Sequence, residues 1–261
     1  MKKMICCGLA ALLLLGAATA QAQISYGPKV GLNLSRASYK FVGDHPNTEV
    51  ETDSRSMLGP SLGMMLNVRF GKLALQPTVA YSMQGIKRKD SFTTTSTPDG
   101  YLATDKTTYD TELKVSYLSV PVNLVYTTGG DHGFQVFAGP YVSFGLGGKV
   151  KTTEEYTFTF GGLVEEQKTT RHDSDVEFKA EVTDDDMEKE EDFNPHAFMR
   201  SLDFGLNVGA GYLIRNFQVQ VGYSLGLSQL SPEFGFEDLD MGYSLKNRVA
   251  HFSVGYLFGH R

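Results

Sequence analysis

From Leu202 to Ile214 an apolar or small residue returns at every second position, and after only Arg215 and Asn216 the alternation resumes from Phe217 to Leu227. Side chains alternate across a β-strand, so a period of two gathers Leu202, Phe204, Leu206, Val208, Ala210, Tyr212 and Ile214 on one face. Asp203, Gly205, Asn207, Gly209, Gly211 and Leu213 fall on the other. The second run repeats the arrangement, with Val219, Val221, Tyr223 and Leu225 opposed to Gln218, Gln220, Gly222 and Ser224. Nothing recurs at helical spacing for any distance. The pattern dictates a long hairpin with one oily face and one polar or small face.

The same signature recurs along the chain. Tyr26 to Leu34 forms one stripe, Leu58 to Phe70 a second, and Leu73 to Met83 a third after a Gly71–Lys72 turn. Leu118 to Tyr126 and Phe134 to Leu146 flank a short Thr127–Gly133 connection, and Ala250 to Phe258 closes the set. With the opening hairpin this makes eight strands.

Two folds accept such stripes. In a soluble sandwich the oily face is a shared core. In a transmembrane barrel it meets lipid while the polar face fills the interior. Three features favour the barrel. No charge interrupts any stripe, as expected where a Lys or Arg at the bilayer midplane costs about 2–4 kcal/mol. Connections alternate between short ones and long ones, the long ones spanning about 42–57, 85–111, 147–199 and 228–247. An aromatic stands beside nearly every short-turn end: Tyr26, Phe70, Tyr126, Phe134, Tyr212, Phe217 and Phe258. Rings at headgroup depth account for that clustering. The expected fold is all-β: an eight-stranded antiparallel up-and-down transmembrane β-barrel with long extracellular loops. A ten-stranded variant, using Tyr156–Phe160 and Val176–Val182, ranks lower because the first segment is too short to span.

Such a barrel is filled by its own side chains. Lys29, Arg69, Gln76, Asn123, Asp203, Asn207 and Gln220 point inward by parity and are expected to form a hydrogen-bonded lumen network, with Lys29, Arg69 and Asp203 as candidate ion-pair members. Pro28, Pro60, Pro77, Pro121 and Pro140 fall inside strands, where each removes a ladder donor, so bulges or strand ends must shelter them.

The N-terminus reads as an export signal. Lys2 and Lys3 precede an apolar run from Met4 to Ala18, then "ATAQAQ" offers small residues at Ala18/Ala20 or Ala20/Ala22. Basic, apolar and small-residue regions in that order make a signal peptide over residues 1–22. The run is shorter than the ~20 residues of a membrane helix. Both cysteines, Cys6 and Cys7, lie inside it, so the mature chain from residue 23 to 261, a single domain, has no disulfide.

The stretches "YGPKVGLNLS", "LALQPTVAYSMQG", "YLSVPVNLVY", "FQVFAGPYVSFGL", "LDFGLNVGAGYLI" and "FSVGYLFG" together resemble the PorT-like family of small outer-membrane β-barrel proteins. The resemblance covers all eight strands and includes Pro77, Pro121 and Pro140. It implies an eight-stranded barrel in the bacterial outer membrane. Some similar proteins are linked to secretion across that membrane, and no catalytic motif comes with the family.

Function is therefore sought in the loops. The large loop, about 147–200, is acidic: from Lys149 to Arg200, seven basic residues face fifteen acidic ones, a net of −8. Its densest part, "TDDDMEKEEDFN", reads first as a solvated segment. Asp184, Asp185, Asp186 and Glu188 are weak candidates for a cation site, because carboxylates are hard oxygen ligands, but the EF-hand order is absent. No cofactor is implied. The six histidines are scattered without H-E-x-x-H or G-x-S-x-G spacing, and His251 alone lies on an inner strand face. No basic face for nucleic acid is evident. The expected protein is a non-enzymatic, monomeric outer-membrane barrel with lipid around it and a surface-interaction or structural role through its extracellular loops. The alternatives are an accessory of outer-membrane secretion or assembly and, further off, a lipid-modifying enzyme centred on His251.

Overall fold

The computed structural model describes residues 23–40, 48–130, 132–183, 197–234 and 244–259. Its strands are β1 (Gln23–Lys40), β2 (Thr48–Phe70), β3 (Leu73–Ser96), β4 (Ala103–Thr127), β5 (His132–Phe160), β6 (Leu163–Phe178), β7 (Glu181–Val182), β8 (Ala197–Met199), β9 (Leu202–Ile214), β10 (Phe217–Gly226), β11 (Glu233–Phe234) and β12 (Ser244–Tyr256). Residues 1–22, where the export signal is expected, lie outside the described residues.

Eight of these strands close on themselves. The order runs β1, β2, β3, β4, β5, β9, β10, β12 and back to β1, with every neighbouring pair antiparallel. Closure leaves no edge within this ring, so each ladder donor and acceptor at its height has a neighbour to meet. β6 and β8 stay outside it. β6 pairs with the upper part of β5, and β8 adds to β6 in parallel. The ring is thus eight strands, and Tyr156–Phe160 is the top of β5 rather than a separate span.

Burial is inverted relative to a soluble core. Leu62, Val208 and Leu206 are 60%, 59% and 51% exposed, whereas Gln76 and Asp203 are 0% exposed and Gln218 and Gln220 are 1%. Every oily stripe faces out and every polar stripe faces in. This excludes the sandwich, in which the same leucines would meet each other.

The prolines are accommodated by gaps in the ladders. Pro60 falls in a register shift between Ser56 and Ser61 of β2. Pairing between β3 and β4 lapses from Pro77 to Ala80, and between β4 and β5 from Pro121 to Leu124.

The segments expected to be long connections are, in large part, strand. β3 runs on to Ser96 and β4 begins at Ala103, so residues 85–111 form a tall hairpin around a 3-10 turn at Pro98–Gly100. β5 continues to Phe160 and turns through Gly161–Gly162 into β6. Once the chain leaves lipid neither face need be apolar, so the period-two signal fades. β-branched and aromatic residues such as Thr93–Thr95 and Tyr156–Phe160 still favour extended backbone. Phe92 and Tyr109 meet edge to face at 6.0 Å, and Tyr101 and Phe160 stand 5.7 Å apart near the two tips.

Candidate functional site

The interior is built in three tiers. At the short-turn end, amides from four strands interlock. Gln76 Nε2 donates to Gln218 Oε1 at 3.0 Å and to Asn67 Oδ1 at 3.4 Å, and Gln218 Nε2 donates to Gln135 Oε1 at 2.8 Å. Gln135 Nε2 continues to Thr127 Oγ1 at 3.1 Å. An amide carries both donors and an acceptor, so glutamines can tile a buried section without placing charge there. Met65, Leu213 and Leu257 pack together as an apolar cluster in the same end.

Above the amides lies a cavity of about 90 Å³, bordered by Lys29, Asn33, Asn123, Asn207, His251 and several hydroxyls. Lys29 Nζ donates to Gln220 Oε1 at 2.8 Å. Among the described residues, Thr78 Oγ1, Asn123 Oδ1, Asn207 Oδ1 and Ser253 Oγ are buried without a protein partner. A polar space of this size has room for several waters, the usual companions of such atoms.

The third tier closes the opposite end. Asp203 accepts hydrogen bonds from Ser228 Oγ at 2.6 Å, Asn247 Nδ2 at 2.9 Å and Tyr141 Oη at 3.2 Å. Val115, Tyr117, Val176, Met199 and Leu230 form an apolar cap. The segment after β10 is folded over the mouth: Leu230 is fully buried, its N–H donates to the Leu245 carbonyl, and its own carbonyl accepts from Arg200 N.

These placements revise the expected ion pairs. Lys29 meets an amide and Asp203 meets three neutral donors, so neither has an ionic partner among the described residues. Two hydroxyls and one amide already occupy three of the roughly four lone-pair sites of Asp203. Arg69 is not in the tiers at all. Its guanidinium donates to the carbonyls of Gly71 at 2.8 Å and of Gly129 and Gly130, both at 3.1 Å, tying two short turns together at the rim. Asn123 and Asn207 border the cavity, and Gln76 and Gln220 belong to the amide tier. Sequence reasoning missed Gln135, Gln218 and Asn67, although all three sit on inward parity. It also missed Tyr141, Ser228 and Asn247, which reach Asp203 from distant parts of the chain.

Beyond the apolar belt the outer face of β2–β6 carries charge in register. Gly145 pairs with Tyr117 and Gly147 with Ser116, so Leu146 is an extra residue in β5. This bulge shifts the parity of β5 and brings Lys149 and Lys151 opposite Lys114 and Glu112. Glu112 binds Lys87 at 2.8 Å and also contacts Lys114. Its carboxyl is held below the usual range, first by the Lys114 hydrogen bond and then by the one to Lys87. Lys151 reaches Asp173 at 3.3 Å, and Arg55 reaches Asp53 at 2.9 Å. Among the described residues no three His, Cys, Asp or Glu side chains are grouped to hold a metal ion. Asp184, Asp185, Asp186 and Glu188 lie outside them.

A closed ring with a polar filling and an oily exterior is the form of an outer-membrane β-barrel. The chain belongs to the outer membrane protein beta-barrel domain family, whose model matches residues 19–231. No curated protein matches it. Among solved structures it is similar to Ail, the attachment invasion locus protein of Yersinia pestis, at 12% identity over 90% of this chain and 98% of that one, with a TM-score of 0.37. It is also similar to Neisserial surface protein A, at 12% identity over 89% and 97%, TM-score 0.31. The deltaS2S3 mutant of TodX, a monoaromatic hydrocarbon channel, shares 6% identity over 93% and 92%, TM-score 0.27. The family places the chain in the outer membrane.

Proposed function

We propose that this protein is a monomeric, up-and-down barrel of PorT-like type, exported by residues 1–22, whose extracellular hairpins contact a protein partner while its interior serves only to hold the barrel together. One observation carries the reading. β5 is 29 residues long, whereas a tilted strand spans a bilayer in about 9–11. About half of it, residues 147–160, with β3, β4 and β6, rises beyond the apolar belt as a paired wall. A chain that needed only to sit in the membrane has no use for this extension.

The test uses the register of the wall. Lys149 pairs with Asp175, so residues 150–174 can be replaced by Asn-Gly while the ring is left whole. The expected result is a barrel that still folds but no longer captures its partner in surface crosslinking on intact cells. Unchanged capture refutes this reading.

A second reading, an accessory of secretion or assembly, draws support from Arg69, which fixes the turns after β2 and β4 into one surface at the inner rim. Arg69→Ala tests it: a secretion defect with normal surface capture favours the accessory role. The reading as an enzyme gains nothing from His251. Its Nδ1 lies 3.4 Å from Ser224 Oγ and its ring 6.3 Å from Phe137, within the closed interior. His251→Ala is expected to leave lipid composition unchanged.

A further inference from the structure

Most outward-facing cations above the apolar belt have an acid beside them. Arg55 has Asp53, Lys87 and Lys114 share Glu112, and Lys151 has Asp173. Lys89 stands in register between Asp53 and Asp110, and Lys149 beside Asp175. The seam between the first and last strands is different. There Arg36 stands directly opposite Arg248, one step beyond the lipid-facing Leu34–Ala250 pair that separates them from the belt by a single intervening residue on each strand. Both arginines share the parity of those two residues and face outward. Neither has a carboxylate within 4.0 Å among the described residues.

Like charges directly opposed across a strand pair are unfavourable. Here they are also held in place. Arg248 Nη1 donates to the carbonyls of Gly226 at 2.7 Å and Asn247 at 3.1 Å, which orients the guanidinium without neutralising it. Arg36 and Arg248 border a groove of about 400 Å³ with Leu34, Tyr223, Ala250 and Ser56. One end of this groove is apolar and continuous with the membrane belt. The other presents two guanidinium groups and the hydroxyls of Ser54 and Ser56.

We propose that the groove binds one phosphorylated glycolipid of the outer leaflet. Its phosphate lies between Arg36 and Arg248 and its acyl chains run down over Leu34, Tyr223 and Ala250. Guanidinium presents a planar fork of donors that matches phosphate oxygens, and two forks relieve their mutual repulsion on one dianion. A free anion makes no use of the apolar end, and the height of the arginines, just past the last lipid-facing pair, is headgroup height. Binding here also bridges the strands that close the ring.

The experiment takes the full mature chain, purified in non-ionic detergent, and measures adducts by native mass spectrometry. The probes are diphosphoryl lipid A, its fully dephosphorylated form, and inorganic phosphate as competitor. The expected result is a one-to-one adduct with the diphosphoryl lipid, at least about tenfold tighter than with the dephosphorylated one, since charge-assisted bonds are the stronger class. Arg36→Gln with Arg248→Gln should remove that preference, while Lys87→Gln on β3, which does not border the groove, should leave it. Should the double variant not fold, Arg36→Gln alone carries the test, because no described hydrogen bond depends on that side chain. Equal binding of the two lipids, unchanged preference in the arginine variants, or displacement of the lipid by millimolar phosphate would each overturn the proposal.

Discussion

Asp203 concentrates the polar logic of the interior in one side chain. It is fully buried, and its oxygens accept from Ser228, Asn247 and Tyr141. Truncation leaves three donors stranded where water has limited access, so Asp203→Ala should destabilise the barrel by about 3 kcal/mol or more. Asp175, exposed on β6, supplies the comparison. Urea unfolding in detergent should show a lowered midpoint for Asp203→Ala and none for Asp175→Ala; coincident curves would refute a structural role for the carboxylate. Glu112 makes a different prediction. Lys114 and Lys87 depress its carboxyl pKa, so its contribution to the wall is present above the ordinary glutamate pKa and lost as pH falls through the depressed value. Lys87 and Lys114 are exposed and Glu112 is partly so, which keeps the effect on stability small. NMR titration of the Glu112 carboxyl carbon should give a midpoint below 4.5, and Lys87→Ala with Lys114→Ala should return it toward that value.

Elements within the belt were legible from the chain because lipid imposes a strict alternation there. β9 and β10, with the Arg215–Asn216 turn between them, coincide with their stripes almost to the residue. Outside the belt that constraint lapses, which is why the tall parts of β3, β4 and β5 read as loops. Bulges were equally hidden, since the extra Leu146 in β5 is one more apolar residue in a stripe. Inward parity identified Lys29, Gln76, Asn123, Asp203, Asn207 and Gln220, but parity says nothing about height. It could not show that Lys29 meets Gln220 rather than Asp203. The β5–β6 turn is one element whose sequence and geometry agree: Gly161 and Gly162 both have positive φ, 57° and 85°, the pair of signs a type I′ turn demands. Gly162→Val should cost about 1–2 kcal/mol through left-handed strain. The loss should be local, with faster amide exchange at Phe158–Glu166 and an unchanged global midpoint. A shifted global midpoint would mean that wall and ring unfold together.

At the level of the whole molecule, the inverted burial decides solution behaviour. Large apolar side chains on all eight ring strands are exposed, and so large an apolar surface needs amphiphile around it. Light scattering after size exclusion should find one chain per particle in detergent and aggregates on its removal. A dispersed monomer in plain buffer would remove the membrane reading altogether. Glycines also matter at this scale. Gly209 and Gly222 face each other across β9 and β10, and a Cβ on either would lie 2.4 or 2.8 Å from the Phe137 ring tip. Gly209→Ala should therefore displace Phe137 and lower the yield of refolded barrel on heat-modifiable gels. Unchanged yield would show that the ring has room to move.

Among the described residues the amide tier lies below the small chamber and the apolar cap above it, and a barrel filled in this way is expected to conduct nothing. A cell can therefore crowd its envelope with this protein and remain as tight as before. Overproduction should neither raise single-channel conductance in planar bilayers nor sensitise the cell to bulky hydrophilic antibiotics, and the gradients kept by neighbouring pores are undisturbed by its presence.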